Sequence, residues 1–271
     1  MALHGYAARL ASTSMTWLTN ERRGLDPRYA AGEFFWYFNS AGSLEMISHY
    51  APQYVNFAND GVVHGAYGPR IRLVISDLVD LLRKSPNTRR AVIPLYRSSD
   101  VEKADWVNDT PCTLSWNFMI INDELCMIAT MRSNDVWLGM PYDIFVNTCV
   151  QRFVAGMLGI RPGWYQHQVA DLHLYDKYIK QAREACTSSR SYLDVWGLSD
   201  TDCSMDDMNT CLAFEYAYRL NGMPAKSPPV RNTMLLALAN CVLDLPIYQS
   251  GVLEDAYLRR HRLRRKDNTS S

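Results

Sequence analysis

No stretch of this 271-residue chain approaches the roughly 18 consecutive apolar residues that a membrane-spanning helix needs. An excess of charge is also missing, since 28 Lys and Arg offset 28 Asp and Glu. That balance argues against a general nucleic-acid coat or a membrane-surface binder. The seven cysteines (112, 126, 149, 186, 203, 211 and 241) form no CxxC pair. A zinc framework or a disulfide scaffold is thereby disfavoured, and an odd number of unpaired thiols fits a reducing compartment. The opening MALHGYAARLASTSM has no continuous apolar segment, so no secretory signal is expected. Repeats and low-complexity linkers are absent as well. The expectation is a soluble, cytoplasmic protein. One local charge excess stands out: six basic residues fall between Arg259 and Lys266. This run is either a solvated tail or a docking site for nucleic acid or an acidic partner.

What is present reads as α+β. RYAAGEFFWYFNSAGSLEMISHY suggests two helices broken near Asn39–Gly42. RLVISDLVDLLRKSPN sets Leu73, Val74, Leu78, Leu81 and Leu82 on one helical face and stops at Ser85–Pro86. RRAVIPLY, CTLSWNFMII and ELCMIATMR read as strands, with Asn122–Asp123 as a hairpin turn between the last two. YDIFVNTCVQRFVAGMLGI is helical again, closed by Gly159 and by Arg161–Pro162–Gly163. Beyond Tyr178 the texture is mostly helical. The expected division is a core over 1–180 and a helical C-terminal portion over 181–271, packed on it or forming a lobe.

Individually the polar residues say little. Cys112 after Pro111 could be a small buried hydrophobe, and His173 with Tyr175 an ordinary core pair. Glu33, set beside five aromatics in GEFFWYF, must be paired or have its pKa raised. Asp143 in MPYDIF precedes an apolar run, where an acid either caps the helix or faces something polar.

Order and spacing add more. In PCTLSWNFMIINDELCMIATMRSNDVWLGMPYDIFVNTC, Arg132–Ser133–Asn134–Asp135 begins twenty residues after Cys112. A Leu-Gly-x-Pro loop, a helix and Asp171-x-His173-x-Tyr175 follow. Upstream lie GEFFWYF, GAYGPRI and SPNTRRAV. Over residues 25–178 this series resembles the thymidylate synthase family. The resemblance implies a single α+β domain with a large mixed β-sheet covered by helices, a homodimer formed through the sheet, and folate-dependent transfer of one carbon to C5 of a pyrimidine nucleotide. It casts Cys112 as the nucleophile at C6, activated by Arg132, and Glu33 as the proton shuttle. Asp135 becomes the acid that meets the folate. Arg132 and Ser133 would bind the 5′-phosphate together with Arg89 and Arg90, the pair the family donates across its dimer interface. His173 and Tyr175 would hold the sugar. Tyr67, Thr113 and Tyr54 are further expected members of the site. The implied co-substrate is 5,10-methylenetetrahydrofolate, and no metal is expected.

Three departures refine that picture. Asp143 stands where the synthases carry asparagine, whose amide suits uracil. Cytosine reverses the N3/N4 edge, and a carboxyl suits it whether protonated or paired with N3–H⁺. Thr113 replaces a histidine beside the nucleophile, and Tyr54 and Phe57 stand where two tryptophans are usual. The family's opening arginine loop is shortened, with Arg22 or Arg23 as candidate substitutes, and its closing C-terminal region is not recognisable. These features are similar to the deoxycytidylate hydroxymethylase branch. The expected reaction is therefore hydroxymethylation of dCMP or CMP. The alternatives are methylation of dCMP, methylation or hydroxymethylation of dUMP, and a catalytically silent member that binds nucleotide or RNA.

Overall fold

The computed structural model describes residues 1–11, 17, 18, 20, 22–187, 202–222 and 226–247. The basic run from Arg259 to Lys266 lies outside them. A five-stranded sheet is ordered β1-β5-β4-β3-β2, from β1 (Ala2–Leu10), β2 (Val92–Pro94), β3 (Thr113–Ile121), β4 (Glu124–Asp135) and β5 (Arg161–His173). Neighbours are antiparallel except β4 and β5, which run parallel. A parallel pair needs a crossover, supplied here by α6 (Met140–Leu158). The β3–β4 turn is Asn122–Asp123, both at positive φ (52° and 60°), as a tight type I′ hairpin demands.

The middle stretches of β3, β4 and β5 alternate. Trp116, Phe118, Met127, Ala129, Tyr165, His167 and Val169 are buried, while Ser115, Asn117, Ile128, Thr130, Gln166 and Gln168 are only half-buried. One face of the sheet therefore carries the core and the other is open.

Against the covered face lies α1 (Pro27–Phe38), started by Pro27 and by the Asp26 carboxylate, which accepts from the backbone N–H of Arg28 (2.8 Å). It is buried on nearly every side, packed by α2 (Leu44–Tyr50), α3 (Gly68–Ile71), α6 and α9 (Thr233–Val242). Gly68 permits the close approach of α3, because a Cβ there would lie 1.9 Å from the Asn39 carbonyl oxygen. Arg70 of α3 forms a buried bidentate pair with Asp100, at 2.5 and 2.8 Å. After Tyr178 the described elements are α7 (Ile179–Thr187), α8 (Met205–Asn221) and α9. Buried Glu215 of α8 accepts from the Tyr50 hydroxyl (2.8 Å) and from Arg219 Nε (2.9 Å), which ties α8 to α2.

Two further helices are α4 (Ile75–Lys84) and α5 (Ser98–Lys103). In α4 the buried face is Ile75, Leu78, Val79 and Leu82. Leu73 and Val74 precede the helix and are exposed, contrary to the face read from the sequence. That reading placed the helix start too early. The stretch Arg161–Pro162–Gly163 opens β5 directly rather than serving only as a helix stop.

Candidate active site

Hairpin register brings the nucleophile candidate and its cation together. Thr113 pairs with Met131 across β3 and β4, so residue 132 falls beside residue 112, and the Arg132 backbone N–H donates to the Cys112 carbonyl (2.8 Å). The guanidinium folds back over the same loop. Its Nε donates to the Pro111 carbonyl (2.9 Å) and its Nη2 to the Thr110 carbonyl (3.1 Å), with Nη2 also 3.7 Å from Cys112 Sγ. Burial pushes the Cys112 thiol up to about 11, Arg132 pulls the other way, and the charges of Asp143 and Asp109 add to the rise. Thr113 is buried: its backbone N–H donates to the Tyr67 hydroxyl (3.0 Å), which in turn donates to Thr113 Oγ1 (3.2 Å).

Glu33 lies mid-way along α1, where burial on all sides surrounds its carboxyl with apolar groups. Its Oε1 accepts from the hydroxyls of Tyr29 (2.8 Å) and Tyr54 (3.4 Å), while Oε2 is buried with no partner among the described residues. Burial, and then the charge of Asp143, raise its pKa to about 8 against the pull of the two phenols. At neutral pH it holds a proton and can give it up.

Asp143 does not cap α6. The capping position is Gly139, with no side-chain cap, and Asp143 Oδ2 instead accepts from Asn134 Nδ2 at 2.7 Å. Gly139 allows that bond, since a Cβ there would lie 2.9 Å from Asn134 Nδ2. Burial raises the Asp143 pKa to about 6, opposed by the Asn134 bond. Asp143 is near enough to Glu33, Cys112 and Tyr67 for its charge to raise the pKa of each. The structure thus gathers Cys112, Arg132, Thr113, Tyr67, Glu33, Tyr54 and Asp143 into one group.

A second group borders it through the parallel β4–β5 register, which sets Ser133 opposite Asp171 and Asp135 opposite His173. Ser133 Oγ is 3.5 Å from His173 Nδ1. The His173 and Tyr175 rings lie edge-on at 5.0 Å, with Tyr175 half exposed. Asp135 Oδ1 accepts from the backbone N–H groups of Trp137 and Leu138, and its Oδ2 is buried with no partner among the described residues. Both orphan oxygens are open to a ligand: Glu33 Oε2, which carries the proton, can donate to one, and Asp135 Oδ2 can accept from one. Arg89 and Arg90 are not part of this gathering. Both are exposed ahead of the edge strand β2, and neither guanidinium bonds to the residues above. Arg22 instead reaches Glu184, while Arg23 donates to the Trp137 carbonyl (2.6 Å) beside Asp135.

Reading the sequence missed several members. Tyr29 signals itself only as an aromatic four residues before Glu33. Asn134 sits inside the quoted Arg-Ser-Asn-Asp turn, yet its contact with Asp143 depends on a loop closing over nine residues. Among the described residues no group of three or more His, Cys, Asp or Glu could hold a metal.

A family model described as thymidylate synthase matches residues 7–211. The chain belongs to the thymidylate synthase family. Within that family it is 30% identical over 174 residues to a deoxyuridylate hydroxymethyltransferase of Delftia phage PhiW-14, covering 59% of this chain and 49% of that one. It is 25% identical over 135 residues to the thymidylate synthase of Listeria monocytogenes serotype 4a, covering 50% and 42%. The chain spans about half the length of the curated relatives it matches. Thermostable thymidylate synthase A from Bacillus subtilis superposes with a TM-score of 0.63 at 19% identity, over 70% of this chain and 72% of that one. The family's fold, a mixed sheet under helices, is therefore this chain's fold.

Proposed function

We propose that this chain is a one-carbon transferase that hydroxymethylates C5 of a cytosine nucleotide, dCMP or CMP, with 5,10-methylenetetrahydrofolate as co-substrate. The observation that carries the reading is the convergence of Asp143 on the Cys112–Arg132 pair and Glu33, with one Asp143 oxygen committed to Asn134. The ionised carboxylate accepts from the cytosine N4 amine. As Cys112 adds to C6 the ring becomes more basic, and the same carboxylate accepts from N3–H⁺, so the contact strengthens on the way to the transition state.

In this scheme the Cys112 thiolate, stabilised by Arg132, forms the S–C6 bond and the C5=C6 electron pair moves to C5. C5 then takes the methylene carbon that the folate supplies, and the proton on C5 leaves to a base. With tetrahydrofolate expelled, water adds to the exocyclic methylene and Cys112 departs, restoring C5=C6. Glu33, protonated at neutral pH, serves the proton transfers through the orphan Oε2. Tyr54, bonded to Glu33, stands where the family's synthases place a bulkier indole, which leaves room for water. Arg132 and Ser133 bind the 5′-phosphate, His173 and Tyr175 the sugar, and Asp135 the folate.

The same reading includes a homodimer through the open sheet face, to which each protomer gives Arg89 and Arg90 for the other's phosphate. It is supported by the half-buried row Ser115, Asn117, Thr130, Gln166 and Gln168, and by two arginines that serve nothing in their own chain's site. The reading also includes a cytoplasmic location.

One observation favours a second reading. The phage relative is named for deoxyuridylate, and a neutral Asp143 could donate to uracil O4. Tritium release from C5 separates the two. Release from dCMP or CMP and not dUMP supports the first, release from dUMP alone the second, and release from none of the three sinks both.

A further inference from the structure

Behind Asp143 runs a chain of buried polar side chains that the reaction scheme does not use. Asn134 Nδ2 meets Asp143 Oδ2 at 2.7 Å, and Asn134 Oδ1 lies 2.9 Å from His167 Nε2. His167 Nδ1 is 2.8 Å from the Tyr165 hydroxyl, which is 3.1 Å from Asn147 Nδ2. All four are buried, His167 and Asn147 to 1% exposure. The fold assembles them in pairs: Tyr165 and His167 are two apart on the covered face of β5, and Asp143 and Asn147 one turn apart on α6. The surrounding positions are apolar, among them Phe145, Val146 and Met131. Burying so many polar groups there is costly unless each is satisfied.

Every bond in the chain has only one possible direction once Asp143 is ionised. A carboxylate can only accept, so Asn134 must present its amine to Asp143 and its carbonyl to His167. Nε2 of His167 must then carry the proton. Burial holds the imidazole neutral, with its pKa down at about 4, so Nδ1 is bare and the Tyr165 hydroxyl must donate to it. The phenol oxygen is left to accept from Asn147. Nothing in this order can flip singly. Its far end commits Asp143 Oδ2 to accepting, and Oδ1 accepts no hydrogen bond from any described residue.

We propose that Asn134, His167, Tyr165 and Asn147 are positioning residues that select the base: their one-way relay fixes Asp143 Oδ2 as an acceptor and leaves Oδ1 alone to meet the pyrimidine's 3,4 edge. The relay rests on the reading of Asp143 as the base contact. It adds the claim that discrimination between cytosine and uracil is set from inside the core, by residues that touch no substrate. Removing the Tyr165 hydroxyl frees His167 to carry its proton on Nδ1. Asn134 can then reverse, turning its carbonyl toward Asp143 and favouring a proton on Oδ2.

The test is calorimetric binding of dCMP and dUMP to the full chain, comparing the ratio of the two Kd values in the parent and in variants. Tyr165→Phe, nearly isosteric, is expected to compress that ratio about tenfold. His167→Phe should do the same, while His167→Gln, which keeps one donor and one acceptor, should retain most of it. A parent that prefers dUMP overturns the cytosine reading but not the relay, which then predicts the same compression from the other side. A ratio that His167→Phe or a folded Tyr165→Phe leaves unchanged, or that Gln and Phe at 167 move equally, overturns the relay. A parent that binds none of dCMP, CMP and dUMP overturns both.

Discussion

Arg132 holds Cys112 from two directions, its backbone N–H on the Cys112 carbonyl at 2.8 Å and its Nη2 at 3.7 Å from the sulfur. The cation is therefore fixed to the loop it serves, and a flexible substitute would not be. Arg132→Lys loses the fork that also binds Pro111 and Thr110 and is expected to lower kcat/KM by roughly 100-fold or more. Cys112→Ser should abolish turnover while leaving nucleotide binding largely intact. Steady-state rates paired with calorimetric binding check both, and a Ser variant that still turns over would rule out covalent catalysis.

Without ligand the Cys112 thiol is held at about 11, so it should alkylate slowly at neutral pH. Peptide-resolved mass spectrometry with iodoacetamide should find the Cys112 rate still climbing above pH 9. Exposed Cys186 should react first. A Cys112 rate that levels off near pH 7 would contradict the burial argument.

Asp143 ionises near 6 and Glu33 near 8, and the scheme needs the first ionised and the second protonated. Turnover as kcat/KM should therefore rise through about 6 and fall through about 8. Both limbs belong to the interacting pair rather than to either acid. In Asp143→Asn the rising limb should vanish and the preference should move toward uracil. A profile flat across this range would remove the assigned protonation states.

Glu33 also makes stability depend on pH. A carboxyl whose folded pKa exceeds its unfolded value contributes most below the unfolded value and loses that contribution as pH climbs through the folded one. From an ordinary 4.5 to about 8, the parent should lose on the order of 4 kcal/mol relative to a neutral side chain. The Tm advantage of Glu33→Gln should accordingly widen between pH 5 and pH 8.5. An advantage constant with pH would mean that Glu33 is not held protonated by burial.

Asp100 neutralises Arg70 in a bidentate pair, each side chain 7% exposed. Arg70 also donates to the carbonyls of Ala66, His64 and Leu95, so the pair fixes the short helix that follows Tyr67. Asp100→Ala strands a buried guanidinium and should cost about 3–5 kcal/mol in denaturant unfolding. A loss under about 1 kcal/mol would show that water reaches the arginine.

Much of this was legible in the residues. The Asn122–Asp123 hairpin, the break after Phe38 and the Gly159 helix stop are local signals, and each appears where its chemistry demands it. The cluster around Cys112 followed from motif order, which the hairpin register converts into proximity. What stayed hidden depends on long-range packing. The strand Ala2–Leu10 is an edge strand, mostly exposed, so no apolar alternation marked it. His167 and Asn134 are separated by 33 residues, and the β4–β5 register sets them opposite different partners, Ala129 and Leu172, so their contact depends on how the side chains reach along the sheet. Glu215 in α8 reads as a surface acid until Tyr50 and Arg219 are seen beside it.

The most direct test of the central claim is the mass of the product formed from dCMP and 5,10-methylenetetrahydrofolate, with CMP and dUMP run in parallel. The account predicts that a cytosine nucleotide gains CH₂O at C5. A gain of CH₂ instead, or a product formed from dUMP alone, would contradict it.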